Sequence, residues 1–412
     1  MKFKKIALGA LVVVALVGTA GWLGLDKETR GLLKTLPTNR DLLFWSQPQR
    51  DAAFRALDRL SFLAKWRVVA ASDTPSPLPP GPPLNLPAAE IDAFMAGQRS
   101  AALVVLHDGK LRLERYGLGF DSAGRWTSFS VAKSFTSTLV GAALHDGFIK
   151  SMDDKVSEYI PDLKGSAYDD VSVRQLLTMT SGVRWNEDYA DPQSDVARFN
   201  NHKPEDGVDA LVSYMRQLPR DVPAGTRWLY STGETNLVGV LVSQATGKPL
   251  AQYLEEKIWK PAGMEQQATW LLSKTGQEIS GCCLQAATRD FARFGQFIAR
   301  GAIANGQATV PAGWLAEATT SRTPIGQPER GYGYQWWTYA DGTFAARGIF
   351  GQGIFIDPQR KLVIATNANW ADGARDPAAS AAREAFYRTV QKAVDAEAGT
   401  LPVAAAAAVS AR

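Results

Sequence analysis

The hydrophobic and polar positions change period several times along this chain, and each change marks an element. The opening run MKFKKIALGALVVVALVGTAGWLGL sets Lys2, Lys4 and Lys5 ahead of an uncharged stretch from Ile6 to Leu25. Roughly 20 apolar residues suffice to span a bilayer as a helix, and lysines before such a segment favour a cytoplasmic start with the remainder exported. Residues 1–25 are therefore expected to be a signal segment or membrane anchor. The body of the chain is expected on the periplasmic or extracytoplasmic side, anchored through this segment. Residues 26–73 read as helix, and the stretch from Pro48 to Trp66 puts Phe54, Leu57, Leu60 and Leu63 at helical intervals, a face predicted to pack on the main body. The segment TPSPLPPGPPLNLP, residues 74–87, holds too many prolines for helix or central strand. It is expected to be an extended, semi-rigid connector between a helical arm and the rest of the chain.

Beyond the connector, ALVVLHDGKLRLERYG reads as a β-hairpin turning at Asp108-Gly109. A helix is predicted from about Ser130 to Gly147, which can end it. From Asp153 to about Arg300 the pattern is mainly helical and loop-rich. Strand character returns in YGYQWWTY, TFAARGIF, GIFIDP and KLVIATNAN, before a last helix from about Pro377 to Val394. Strands at both ends with helices between them predict an α/β chain of the α+β kind: an antiparallel sheet flanked by helices, with an all-helical subdomain at about 150–300 inserted into a domain spanning 88–396. Residues 397–412, ending LPVAAAAAVSAR, have little to bury and are expected to be a disordered tail.

Composition narrows the possible functions. A formal net charge of +4 over 412 residues, with no long basic run, leaves no electrostatic footprint of a nucleic-acid binder. The two cysteines, Cys282 and Cys283, are adjacent and cannot staple distant parts of the fold; they are expected as two small side chains in a packed turn. With His107, His145 and His202 scattered, no ligand spacing for a metal arises. None of these histidines has the surroundings of a Ser-His-Asp triad.

The chemistry concentrates in Ser130-Val131-Ala132-Lys133. Three residues along a helix bring the lysine to within roughly 60° of the serine around the axis and ~4.5 Å along it. A lysine activates a serine only when burial or nearby positive charge lowers its pKa, and Phe129, Val131 and Phe135 are placed to desolvate it. A second candidate element, WLYSTGETNLVG, places Tyr230 just before a helical stretch.

Taken in order, SFSVAKSF, VSVRQLLTMTSGV, YST, GCCLQAATRDFARFGQFI and GQGIFIDPQRKLVI resemble the superfamily of serine β-lactamases, DD-peptidases and family VIII esterases, over roughly residues 88–395. SVAKSF and SGVRWNEDYADPQSDVARF are most similar to the 6-aminohexanoate-dimer (nylon oligomer) hydrolases and related esterases. The resemblance implies a β-lactamase/transpeptidase-like fold and a serine hydrolase that cleaves a small-molecule ester or linear amide through an acyl-enzyme, with no metal or organic cofactor. By the same likeness Ser130 is the nucleophile, Lys133 its base and Tyr230 the phenol that carries the proton. Tyr189 matches a tyrosine that touches the scissile amide, and the backbone N–H groups of Ser130 and Gln352, beside Gly351 and Gly353, form the oxyanion hole.

Two departures bear on the substrate. The usual Y-x-N tyrosine motif has Thr232 in its third place, and the usual K-T-G or H-x-G motif aligns with Ile349, Phe350 and Gly351, leaving no cation for a substrate carboxylate unless a register shifted by two brings in Arg347. That disfavours β-lactams and peptidoglycan. The acidic cluster Glu187, Asp188 and Asp191 is either a set of solvated loop carboxylates or an attractor for a substrate ammonium, and Trp336 and Trp337 are either cleft wall or core. The rival readings are a β-lactamase or DD-peptidase, and a non-catalytic, membrane-anchored binding protein of the same fold. Intact Ser130, Lys133 and Tyr230 argue against the latter.

Overall fold

The computed structural model describes residues 18–36, 42–59, 64–373 and 376–400. In chain order its strands are β1 (Trp66–Val69), β2 (Ser100–His107), β3 (Lys110–Tyr116), β4 (Trp126–Thr127), β5 (Ala268–Leu271), β6 (Leu284–Ala286), β7 (Ile303–Ala304), β8 (Gln307–Ala308), β9 (Thr323–Pro324), β10 (Arg330–Tyr332), β11 (Trp337–Tyr339), β12 (Phe344–Arg347), β13 (Gly353–Asp357) and β14 (Leu362–Ala368). Eight of them form one sheet in the order β3-β2-β14-β13-β12-β11-β10-β9, with every neighbouring pair antiparallel. The β2–β3 hairpin turns where expected: Asp108 and Gly109 both have positive φ, 48° and 78°, the backbone that lets a two-residue turn follow the strands' twist.

Both faces of this sheet are covered, and alternation along the strands decides which residue faces which cover. Val104, Leu106, Ile354 and Val363 join the cluster of Phe294 and Phe297 from the helix Thr288–Ala299. Leu103, Val105, Phe355 and Ile364 join that of Phe94 and Phe386, from the helices Ala88–Gly97 and Pro377–Thr400. Gly295 lets the first helix lie close, since a side-chain carbon there would sit 2.5 Å from Val363. The helices Ala132–His145 and Thr232–Thr246, buried along nearly their whole length, carry the inserted helical part. The expected antiparallel sheet with flanking helices and a helical insertion is what the chain forms.

The helical reading of residues 153–300 overlooked β5 and β6. They belong to a second sheet, β1-β5-β6-β4, whose members are two to four residues long, too short to show a period of two. For the same reason the helical reading of 26–73 needs correcting at its end. Asp26 caps a helix at Lys27–Thr35, accepting from the backbone N–H of Glu28 and Thr29, and a second helix runs Gln47–Ala56. Trp66–Val69, however, is a strand, fixed by pairing with Ala268–Leu271 some two hundred residues away.

The arm is packed into the body. Phe54 is fully buried against Trp126, Phe129 and Phe350, an environment that typically contributes about 1.5–3 kcal/mol through burial of the ring. Arg50 reaches Asn369 Oδ1 and the carbonyl oxygens of Trp45, Trp370 and Ala371. The proline-rich connector is extended as expected, yet it lies on the hairpin: Leu111 N–H donates to Pro79, Gly81 N–H donates to Leu111, and Leu84 is buried. Leu60 and Leu63, most of the expected anchor and residues 401–412 of the expected tail lie outside the described residues. Among the described residues no helix is long and apolar enough to cross a membrane, and the last helix extends to Thr400.

Candidate active site

Ser130 sits in a single 3-10 turn, Phe129–Val131, that leads from β4 into the helix Ala132–His145. The turn is clamped from behind: Ser128 N–H donates to Leu284 O (2.8 Å) and Leu284 N–H donates to Ser128 Oγ (2.9 Å). Phe129 takes a φ of 42°, which is costly for a bulky residue, and its ring is held edge-on by Phe54 and Phe350, each with its centroid 5.0 Å away. The N-terminal arm thus contributes directly to the pose of the residue before Ser130. Ser130 itself remains partly accessible.

Lys133 is almost wholly buried, and its Nζ has three partners: Ser130 Oγ at 3.2 Å, Thr232 Oγ1 at 3.0 Å and Gly281 O at 2.8 Å. Burial holds its pKa down at about 8, partly opposed by the negative charge of Glu187. The partners matter as much as the pKa. Gly281 O only accepts, and the Thr232 hydroxyl gives its proton to Glu187 Oε1, so it too accepts from Lys133. A neutral amine has two protons and one lone pair. With both protons committed to Gly281 and Thr232, the lone pair is left for the Ser130 hydroxyl.

Tyr230 lies beside the serine, whose hydroxyl acts on the phenol. Burial, reinforced by Glu187, raises its pKa, so at neutral pH it is a phenol that both donates and accepts. Its ring stacks on Trp337 with centroids 5.7 Å apart, and Lys133 Nζ is 5.2 Å from the ring centroid. Trp337 therefore lines the site, whereas Trp336 is core, packed on Phe294 and Phe344. Ser130 and Lys133, one helical turn apart, and Tyr230, a hundred residues on, come together.

The remaining expected site residues divide. Tyr189 is near Tyr230, but its hydroxyl is turned to Glu187. Gly351 and Gln352, expected at the oxyanion hole, make the following contacts. A side-chain carbon at Gly351 would meet Trp370 and Ala368, Gln352 Nε2 donates to Ala368 O, and Gln352 Oε1 accepts from Phe350 N–H. Gly351 is thus turned toward Trp370, whereas Gln352 packs against Gly348 beside the nucleophile turn. The residue that abuts it is Gly348, where an added carbon would lie 2.9 Å from Ser128 O. The register is thus the one shifted by two, with Arg347, Gly348 and Ile349 beside the serine. Ile349 N–H has no acceptor among the described residues. Arg347, at the end of β12, lies over Trp337 (5.6 Å) and acts on Tyr230, but its guanidinium is engaged by Ser380 Oγ at 2.6 Å and Glu384 at 3.5 Å.

Residues whose role the sequence left open, and others to which it gave none, complete the site. Of the acidic cluster, Asp188 is an exposed turn residue, whereas Glu187 is turned inward. It accepts from Trp185 Nε1, the Tyr189 hydroxyl, and both the hydroxyl and the backbone N–H of Thr232. Gly281 is held by Asn236 Oδ1, which accepts its N–H at 2.9 Å. Cys282 and Cys283, expected as two small side chains in a packed turn, are joined to each other as a disulfide. That ring lies between Gly281, which holds Lys133, and Leu284, which holds Ser128. His145 is exposed, while His107 and His202 pair with Arg112 and Ser213, away from Ser130.

The arrangement suits attack by a serine hydroxyl on a carbonyl, and similarity to known proteins agrees. A 6-aminohexanoate-dimer hydrolase of Paenarthrobacter ureafaciens is 29% identical over 337 residues, covering 77% of this chain and 85% of the relative. Among solved structures, a Bacillus anthracis protein provisionally named a 6-aminohexanoate-dimer hydrolase superposes with a TM-score of 0.72 at 22% identity, covering 89% of this chain and all of that one. A family VIII carboxylesterase superposes with a TM-score of 0.57 at 20% identity, covering 75% and 98%. The family model described as Beta-lactamase matches residues 88–388, the greater part of the sequence. The chain belongs to the beta-lactamase family and is a serine hydrolase of that fold.

Proposed function

We propose that the protein cleaves an uncharged ester or a linear amide by acyl transfer to Ser130. Lys133 takes the hydroxyl proton, Tyr230 passes a proton to the leaving group, and water then releases the acyl-enzyme. The observation that carries this reading is the buried Lys133, whose other two partners leave its lone pair to Ser130. The N–H groups of Ser130 and of Ile349 or Gln352 are the candidates for stabilising the oxyanion.

The engagement of Arg347 favours substrates without a carboxylate at that place. An anionic β-lactam would have to compete with Glu384 and Ser380 for the guanidinium. The 29% identity with a hydrolase of a linear amide points the same way. The test is a panel of a short-chain p-nitrophenyl ester, a linear 6-aminohexanoate dimer and a chromogenic cephalosporin. Ester or linear amide is expected to be turned over with a kcat/KM about a hundredfold above that of the cephalosporin; a preference for the cephalosporin would overturn the substrate assignment. The lysines and apolar run at the N-terminus support export with retention at the membrane. Fractionation of cells expressing the full chain is expected to find it with the membranes, and recovery in the cytosol would refute that.

A further inference from the structure

Resting on the reading of Lys133 as base, we propose that Glu187 is a positioning residue for the reaction: through Thr232 it fixes the amine on Ser130 and supports the ammonium that forms when the serine proton is transferred.

The connection is continuous. Lys133 Nζ donates to Thr232 Oγ1 at 3.0 Å, and Thr232 Oγ1 donates to Glu187 Oε1. The other carboxylate oxygen accepts from Thr232 N–H at 2.9 Å, the first backbone donor of the helix Thr232–Thr246. All of the groups hydrogen-bonded to Glu187 are donors: the Trp185 indole, the Tyr189 phenol, and the hydroxyl and N–H of Thr232. A carboxylate so surrounded acts only as an acceptor, and it sits at a helix N-terminus, where negative charge is favoured. It is therefore a fixed negative charge one hydroxyl away from the base.

When Ser130 attacks, the O–H bond breaks, its proton goes to the Lys133 lone pair, and the oxygen forms the new bond to the carbonyl carbon. The resulting ammonium is buried, and a buried cation is costly unless it is paired. Gly281 O, Thr232 Oγ1 and the serine oxygen are neutral partners, and among the described residues no charged group besides Glu187 acts on Lys133. Glu187 is thereby placed to offset the charge as it develops. The third-place threonine, where an asparagine is usual, is what makes the link: its hydroxyl accepts from the amine and donates to the carboxylate.

The test is the pH dependence of kcat/KM for a substrate that the wild type hydrolyses and Ser130→Ala does not. That control separates failure of the underlying serine–lysine reading from failure of the present proposal. Wild-type activity is expected to rise with pH through about 8 as Lys133 loses its proton. Glu187→Gln removes the charge that favours the ammonium, so the rising limb is expected to move to lower pH. Its plateau is expected to fall on the order of a hundredfold, with KM little changed.

The other titratable groups around Glu187 are Tyr189, Tyr230, Tyr332 and Glu234, whose own pKa is pushed up by burial to about 8. Thr232→Val separates their effects, because it cuts the path to Lys133 and leaves Glu187 in place. It is expected to lose at least about tenfold in kcat, and Thr232→Ser, which restores the hydroxyl, is expected to recover it. A Glu187→Gln limb at the wild-type position with an undiminished plateau would overturn the proposal. Wild-type turnover by Thr232→Val would do so as well, even if Glu187→Gln fails to fold.

Discussion

Ser130→Ala is expected to lower kcat for any substrate of this protein by a thousandfold or more, on the order seen when the nucleophile is taken from a serine hydrolase. The size of the loss follows from the geometry. Lys133 Nζ lies 3.2 Å from Ser130 Oγ, and the same hydroxyl acts on Tyr230, so alanine leaves them with nothing to activate. Lys133 retains Thr232 and Gly281 as partners, so the base itself should not move far. The serine is partly accessible and its removal leaves a small gap, so the melting temperature is expected to stay within a few degrees of wild type. Loss of turnover without loss of fold is the expected signature, measured as steady-state hydrolysis alongside thermal unfolding.

The second large effect concerns the leaving group. Tyr230→Phe keeps the ring that stacks on Trp337 and removes only the hydroxyl. General acid catalysis of this kind contributes roughly a hundredfold to ten-thousandfold, but only where the leaving group needs a proton. An amine expelled from a linear amide must be protonated, whereas p-nitrophenolate is stable as the anion. The variant is therefore expected to lose about a hundredfold or more on the amide and markedly less on the p-nitrophenyl ester. Equal losses on both would assign Tyr230 to activation of Ser130 and contradict its role as the proton carrier. Burial keeps the phenol protonated, its pKa raised, so the expected difference should persist across the neutral range.

How much of this was legible in the sequence depends on how local each signal is. Asp108-Gly109 announces its hairpin because the turn needs two positive φ values and these residues tolerate them. The serine and lysine announce themselves because one helical turn sets their separation, and Tyr230 because it precedes a helix in a recurring motif. The short strands β1, β5 and β6 were missed because their pairing partners, not their own periodicity, define them.

The strand beside the serine was read two residues out of register. Glycines at 348, 351 and 353 offered several alignments, and only Ser128, packed against Gly348, singles one out. Glu187 resembled a solvated loop carboxylate because its donors come from Trp185, Tyr189 and the distant Thr232. The arm was expected to pack on the body, but nothing local said that Phe54 would support Phe129, the residue before the nucleophile. In each case the sequence held the residue and tertiary contact supplied its role.

The most direct test of the central claim is to quench the protein during turnover of an ester that deacylates slowly, and to locate the added mass by peptide mass spectrometry. An acyl group on the peptide containing Ser130, absent from Ser130→Ala, is the predicted result. An acyl group on another residue, or undiminished turnover by Ser130→Ala, would contradict the assignment of Ser130 as the nucleophile.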